Sequence, residues 1–189
     1  MTDTNNPDIL CNKGASLIEI GRLPEALAAL DRALALNPNH AASLANKGNA
    51  LIDLGRLDEA VATLKRAAQL DSDNAAVWYW MGCALAKLKK FEDAVSAYQN
   101  VIRLNPSEEA AWFNMSHCLG LLGRHEDVLT NCDRALQINR QFIQIWLLKG
   151  LALCSIDRLE DAITAFQQAE RLGDRSAAGH IARCRSKLS

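Results

Sequence analysis

Residues 41–74 read AASLANKGNALIDLGRLDEAVATLKRAAQLDSDN, and this stretch decides the fold. Apolar and small residues recur every three or four positions in two runs, the spacing of amphipathic helices, and Gly55-Arg56-Leu57 separates the runs. The same pattern recurs outward in both directions with a period of 34 residues. It gives five blocks, at 7–40, 41–74, 75–108, 109–142 and 143–176. Such a period predicts stacked helical hairpins, each with a first helix (A) and a second helix (B).

Fixed columns of the blocks indicate how the two helices pack. Counting each block from its first residue, position 8 is small, and it reads Gly14, Gly48, Gly82, Ser116 and Gly150. Position 24 is large in four of the five blocks, and it reads Leu30, Leu64, Tyr98, Cys132 and Phe166. Position 4 is also large, and it includes Trp78, Trp112 and Trp146, which we expect in the core. Alternation of large and small groups predicts close helix packing.

At these columns the chain resembles the tetratricopeptide repeat (TPR) family over residues 7–176. The resemblance implies an all-α, right-handed superhelical solenoid of antiparallel helix pairs, with five TPR units. We expect a flexible N-terminus at 1–6 and a capping helix at 177–189, with Ala178, Ile181, Cys184 and Leu188 on the apolar side of that helix. The departures from the family are the fourth-block residues Ser116, Val128 and Cys132, and the position-7 lysines Lys13, Lys47 and Lys149.

Composition narrows the class of function. The formal net charge of −1 and the isoelectric point near 6.4 leave no global basic field for nucleic acid. The start of the chain is polar and has no basic region followed by an apolar stretch, so we expect neither a secretory signal nor a membrane anchor. The six cysteines fall mostly at helix positions rather than at paired loop spacings, which indicates packing groups in a reducing compartment. We therefore expect a cytoplasmic protein.

In TPR proteins the A helices line the concave face, so the resemblance implies that positions 5, 6 and 9 point into a groove. Along the blocks these positions change from small and amide-bearing to aromatic and then aliphatic. Amides can satisfy the backbone of an extended peptide, and aromatic surfaces can bury its apolar side chains. The candidate ligand-binding residues are Asn12, Asn46, Asn49, Tyr79, Trp80, Phe113, Asn114, His117 and Leu148. The asparagines and Tyr79 are common in the family whatever it binds, and Trp80 is either an anchor for a partner or packing for a neighbouring A helix.

One known binding mode of the family is excluded by the residues present. Many TPR domains hold acidic C-terminal tails of heat-shock chaperones with a carboxylate clamp of lysine, arginine and asparagine on three successive A helices. The corresponding window here reads Cys11, Ala15, Asn46, Ala76 and Trp80, and the later windows also lack the cations. Capture of a carboxylate terminus by this clamp is not expected.

Enzymatic sites are also not expected. The glycines lie in packing and turn columns, so no phosphate-binding loop is predicted. His117 lies beside Cys118, but the chain has no Cys-x-x-Cys pair, and we predict no metal and no cofactor. The carboxylates at positions 18 to 20 lie in the first turn of the B helices, where negative charge interacts favourably with the positive end of the helix dipole.

The stretch 171–189 is basic, with five cationic side chains against Asp174 alone. Such a stretch is usually a solvated helix end whose charges complement the helix dipole. The alternative is a binding surface for an acidic partner or nucleic acid.

The sequence therefore predicts a non-catalytic protein–protein interaction scaffold that binds a peptide or helical segment with apolar anchors, with no nucleic acid and no membrane involved. Two alternatives stay open. One is a self-associating scaffold that uses the fifth block or the capping helix, and the other is an accessory subunit of a separate enzyme.

Overall fold

The computed structural model describes residues 5–188, and every regular element in that range is an α-helix. The helices are α1 (Pro7–Glu19), α2 (Leu23–Leu36), α3 (Ala41–Asp53), α4 (Leu57–Leu70), α5 (Ala75–Lys87), α6 (Phe91–Leu104), α7 (Glu109–Leu121), α8 (His125–Ile138), α9 (Ile143–Ser155), α10 (Leu159–Arg171) and α11 (Ala177–Leu188). The predicted all-α class, built from antiparallel helix pairs, is confirmed.

The helices form two compact units. The first ends at Leu104 and contains α1 to α6, and the second begins at Asn105 and contains α7 to α11. Within each unit every helix packs on the next one in the chain. The A helices also contact one another, α1 with α3 and α3 with α5 in the first unit, and α7 with α9 in the second. Each unit therefore presents a continuous surface made of A helices.

Glycine at position 8 is required by the large residue at position 24 of the same block. A Cβ atom built on Gly48 would lie 2.4 Å from Cγ of Leu64, and one built on Gly150 would lie 2.5 Å from Cε1 of Phe166. Gly14 faces Leu30 and Gly82 faces Tyr98 at similarly short distances. These contacts are shorter than any side chain tolerates, so each hairpin closes only because the glycine lacks a Cβ.

The fourth block departs from this rule at both positions together. Ser116 replaces the glycine, and it faces the smaller Cys132, with Oγ and Sγ 3.9 Å apart. The neighbouring Asn131 is also buried, and its Nδ2 donates to the Trp112 carbonyl at 3.1 Å and to the Ser116 hydroxyl. Burial raises the pKa of the Cys132 thiol to about 12, so Cys132 stays protonated as a packing group. The two departures therefore compensate each other in volume.

Two of the three unusual lysines at position 7 form ion pairs between consecutive blocks. Lys47 Nζ on α3 lies 2.6 Å from Asp31 Oδ1 on α2, and Lys149 Nζ on α9 lies 2.5 Å from Asp133 Oδ1 on α8. Both aspartates occupy position 25 of the preceding block. The lysine stems pack along the interface, and the ammonium groups reach its edge.

The turns between A and B helices use a left-handed residue. Gly21, Gly55 and Gly123 have φ between 72° and 74°, as expected for glycine at the end of a helix. Lys89 and Asp157 take the same conformation without being glycine, with φ of 59° and 60°. The turn geometry is thus retained where its preferred residue is absent.

The first turn of the B helices carries arginine–carboxylate pairs. They are Arg22–Glu25, Arg56–Glu59, Arg124–Asp127 and Arg158–Asp161. The partner carboxylates lie among the acidic residues predicted at this helix end. Each is held by a cation three residues earlier in the chain, so these acids have a structural role.

The three tryptophans at position 4 tie the A helices to the preceding turn. Each indole Nε1 donates to a carbonyl six residues earlier, for example from Trp112 to Pro106 at 2.8 Å. Trp112 is buried, but Trp78 and Trp146 are only half-buried, so the prediction that all three are core was wrong for these two. The buried Trp112 makes the same hydrogen bond, so the bond to the turn carbonyl does not by itself decide how far an indole is covered.

The two ends of the described chain carry side-chain caps. Asn6 Oδ1 accepts the Asp8 N–H at 2.8 Å and caps α1, while residues 1–4 of the expected flexible segment at 1–6 lie outside the described residues. Asp174 Oδ1 accepts the Ser176 N–H at 2.7 Å just before α11. The Ser176 hydroxyl also donates to this oxygen, and this hydrogen bond, together with those from the backbone N–H groups, lowers the pKa of the Asp174 carboxyl.

The helix α11 packs on α10 with a different apolar face from the one predicted. Ile181 and Cys184 are buried as expected, but Ala177 is buried in place of Ala178, and Leu188 is 47% exposed. Ser189 lies outside the described residues.

Candidate functional site

The candidate residues of the first unit lie on α1, α3 and α5, and their environments differ. Asn12 on α1 is exposed, while Asn46 and Asn49 on α3 are half-buried. Nδ2 of Asn46 donates to the sulfur of Cys11 at 3.3 Å, which orients the amide across the contact between α1 and α3. Cys11 itself is buried, so the surface there is formed by the amides rather than by the thiol.

Tyr79 and Trp80 form the aromatic part of this unit. Tyr79 meets Tyr98 edge to face, with ring centroids 6.0 Å apart and an interplanar angle of 62°. Both Tyr79 and Trp80 are half-buried on α5, so each keeps part of its ring at the surface. An aromatic surface next to amides suits an extended peptide.

In the second unit, three of the four candidate residues come together. Phe113 and His117 stack along α7, with parallel rings and centroids 6.4 Å apart. His117 and Leu148 line a cavity of about 220 Å³ between α7, α8 and α9. Asn114 is half-buried on α7 but does not line this cavity.

The rest of the lining of this cavity lay outside the candidate residues, although Leu151 occupies position 9, which was expected to face the groove. It includes Leu121 and Leu151, whose side chains are 54% and 42% exposed. Its remaining residues are Ser116, Gly120, His125, Val128, Ala152 and Ser155. A signal for the two leucines was available, because positions 9 and 13 of a block also belong to the A-helix surface. The cavity is largely apolar, with histidines as its titratable groups.

A second cavity, of about 330 Å³, adjoins the first between α9 and α11. The two cavities share Leu151 and Ser155. The other lining residues are Cys154, His180, Arg183, Cys184 and Lys187. This cavity was not predicted from the sequence, because the groove was expected from A helices alone and α11 lies outside the five blocks.

Two further cavities in the second unit have ordinary structural explanations. One, of about 330 Å³, is lined by Asp133, Lys149, Arg158 and Asp161, which form two ion pairs with each other. The other shares Asp133 and Lys149 with it, together with Trp146, over whose ring the Lys149 ammonium lies at 5.5 Å from the centroid. Asp133 and Lys149, which line both cavities, already form an ion pair with each other, so neither cavity is the preferred candidate.

Family models match the chain over more than half of its length. A model described as tetratricopeptide repeat matches residues 7–40 and 75–108, a second model of the same description matches 29–62, and a model described as TPR repeat matches 48–89. Together they cover residues 7–108. The chain belongs to the tetratricopeptide repeat family.

Solved TPR structures share this fold. MamA is 24% identical with a TM-score of 0.82, over 94% of this chain and 96% of its own. YrrB, described as a TPR protein with an unusual peptide-binding site, is 21% identical with a TM-score of 0.81, over 96% of this chain and 94% of its own. MamA from Desulfovibrio magneticus RS-1, residues 41 to the end, is 20% identical with a TM-score of 0.79, over 91% of this chain and 96% of its own. No curated protein matches the chain in sequence.

The TPR fold is typical of protein–protein interaction, and it is generally a non-catalytic scaffold. Among residues 5–188, no three histidine, cysteine or acidic side chains are grouped so that they could hold a metal ion. None of the helices in the same range has the length and apolar character needed to cross a bilayer.

Proposed function

We propose that this TPR chain is a non-catalytic scaffold that binds a peptide or helical segment of a partner protein along its A-helix surface. The observation that carries the proposal is the apolar cavity lined by His117, Leu148 and Leu151. Leu121 and Leu151 remain 54% and 42% exposed at this cavity. Exposed apolar side chains around a concavity mark a site that a partner covers.

The first unit supports the same proposal with different chemistry. Asn46 and Asn49 present amides beside one another along α3, and Trp80 offers a half-buried indole on α5. Amides can pair with the N–H and C=O groups of a bound backbone, while the indole covers an apolar side chain. The peptide-binding site named for YrrB, which shares the fold, favours a peptide as the ligand here.

We place the protein in the cytoplasm and assign it no cofactor. The six cysteines are all free thiols, which suits a reducing compartment. The partner we expect is another protein that carries apolar anchors.

Site-specific photocrosslinking in lysate of the native cells tests the proposal. Benzoylphenylalanine is placed at Asn49 or Leu148 on the A-helix surface, and in matched controls at Arg32 or Arg134. Both arginines are exposed, lie on B helices and occupy position 26 of their blocks. We expect discrete adducts with another protein at Asn49 and Leu148 and none at the arginines, with adducts identified by mass spectrometry. Circular dichroism confirms that each labelled chain is folded.

Two outcomes would contradict the proposal. Adducts that form equally well at the arginines would move recognition to the B-helix surface. Adducts that contain only this chain would favour self-association as the function.

A further inference from the structure

The cavity between α9 and α11 carries positive charge that nothing in its lining neutralises. Arg183, Lys187 and His180 contribute cationic or titratable groups, and no carboxylate lines the cavity. Arg183 and Lys187 are exposed, and neither forms an ion pair with any residue in the range 5–188. An acidic group entering this cavity would meet complementary charge.

The acidic residue nearest to Arg183 in the sequence is Asp174, and its carboxylate already accepts hydrogen bonds from the backbone. Asp174 Oδ1 accepts hydrogen bonds from the N–H groups of Ser176, at 2.7 Å, and Ala177, at 3.2 Å, ahead of α11. His180, in turn, stacks on Phe166 with centroids 4.8 Å apart, which fixes its ring against α10. The two long cations, Arg183 and Lys187, therefore remain available to a ligand.

This cationic cavity continues the apolar one. Leu151 and Ser155 line both, so a segment whose apolar side chain fills the cavity beside Leu148 passes directly over Leu151 toward Arg183 and Lys187. The two cavities together offer an apolar pocket followed by a positive one on a single surface.

We propose that α11 supplies an acid-binding subsite at the end of the A-helix surface, so that the bound segment carries an aspartate or glutamate close to its apolar anchor. This inference rests on the proposed function and names the chemistry of the partner. The cations come from the helix after the last block, because positions 5, 6 and 9 of the A helices carry no lysine or arginine.

Selection of peptides from a phage-displayed library of random nine-residue sequences tests the subsite. The library is selected on the immobilised full-length chain in reducing buffer at low salt, and in parallel on the double variant Arg183→Glu/Lys187→Glu. The matched control is Arg175→Glu/Arg185→Glu. It makes the same change in charge at two exposed arginines that do not line the cavity.

We expect peptides selected on the natural chain to combine an apolar residue with an acidic residue at a fixed spacing. The acidic residue should be enriched by about threefold to fivefold, which is the scale of an exposed ion pair. The enrichment should persist on the control and disappear on Arg183→Glu/Lys187→Glu. No acidic preference on the natural chain, or an equal loss on the control, overturns the subsite.

A further variant, Leu148→Ser, separates failure of the subsite from failure of the proposed function. If selected peptides are apolar, depend on Leu148 and show no acidic preference, the scaffold function stands and the subsite is wrong. If no peptide is enriched, or enrichment does not depend on Leu148, both are wrong for this surface.

Two cysteine thiols that line the cavity between α9 and α11 lie close together. Cys154 Sγ on α9 and Cys184 Sγ on α11 lie 3.1 Å apart, although 30 residues separate them in the chain. Cys184 is buried and Cys154 is partly exposed at the cavity. Formation of a disulfide at about 2.05 Å would require only small rotations of the two side chains.

We infer that Cys154 and Cys184 form an oxidisable pair that links α11 to α9. With hydrogen peroxide as the oxidant, the Cys154 thiolate attacks one oxygen, the O–O bond breaks, and a sulfenic acid and hydroxide form. The Cys184 sulfur then attacks the Cys154 sulfur, the S–O bond breaks, and the second oxygen leaves as water. In sum, two thiols and one peroxide give one disulfide and two waters.

The surroundings of Cys154 set the rate of this reaction. Burial, together with the neighbouring Cys184 thiol, raises the pKa of Cys154 to about 11, and the charges of Lys187 and Arg183 oppose this shift. The other lining groups are His180 on α11 and the uncharged residues of α9. Because only the thiolate reacts, oxidation should be slow at pH 7 and accelerate about tenfold for each pH unit up to about pH 10.

Peptide mapping of the full-length chain after peroxide treatment tests the pair. We expect a linked peptide that contains Cys154 and Cys184, a melting transition of the second unit raised by several degrees, and reversal of both by dithiothreitol. The variant Cys184→Ser should trap Cys154 as a sulfenic acid that reacts with dimedone. Absence of the linked peptide, or preferential linkage to Cys83 or another cysteine, overturns the inference.

Discussion

Replacing Gly150 with alanine lowers the free energy of unfolding of the second unit by about 2 to 3 kcal/mol. The added methyl group would lie 2.5 Å from Cε1 of Phe166 and 2.7 Å from Cδ1 and Cζ of the same ring. Phe166 is fully buried and its ring is rigid, so relief requires α9 and α10 to separate. Urea denaturation followed by circular dichroism measures the loss.

The same substitution at Gly120 is the control. Gly120 also lies in an A helix, on α7, but a Cβ atom built there meets no atom within 4 Å. Alanine is the better helix former by up to about 1 kcal/mol, so Gly120→Ala should be neutral or stabilising. Equal effects at the two positions would show that helix propensity, and not closure of the hairpin on Phe166, governs the glycine column.

Replacing Cys132 with leucine costs about 2 kcal/mol on its own, and adding Ser116→Gly restores at least half of that loss. Leucine at this position recreates the residue found at Leu30 and Leu64, but Ser116 occupies the space that glycine leaves open in those blocks. The double variant restores the glycine–leucine pair of the second block. Asn131 Nδ2 loses its contact with Ser116 but keeps the Trp112 carbonyl.

A double-mutant cycle measures this coupling. The four proteins are the natural chain, the two single variants and the double variant, and unfolding is followed in urea. Strictly additive effects would show that Ser116 and Cys132 do not compensate each other, and that the fourth block tolerates its departures for another reason.

The sequence predicts the helices well because the information about them is local and repeated. Four of the five blocks repeat the glycine at position 8 and a large residue at position 24, so the kind of pairing that Gly48 makes with Leu64 is repeated in four hairpins. Ser116 and Cys132 were recognised in the sequence as two separate departures from the family pattern. Only the structure shows that the two side chains are in contact, with Oγ and Sγ 3.9 Å apart. The role of Lys47 was not predictable from its column, because its partner Asp31 lies in the previous block.

The candidate site was less predictable, because residues at the same position of different blocks have different surroundings. Asn12 and Asn46 occupy the same position, but Asn12 is exposed while Asn46 is half-buried and bonded to Cys11 on the neighbouring helix. Contacts between different helices decide such differences, and the repeat pattern does not contain them. Arg183 and Lys187 were recognised only as a basic stretch, because their place beside Leu151 depends on how α11 folds back toward α9.

The lysine–aspartate pairs join consecutive blocks, so they form only when the blocks follow one another in the right order. Lys47 pairs with the residue at position 25 of the block before it, which is Asp31 in the first block. In the second block the same position is Lys65, so a duplicated second block would set lysine against lysine. Blocks that look interchangeable in their packing columns are therefore not interchangeable as neighbours. A shuffled or extended version of this chain would need the lysine and its aspartate to be transferred together.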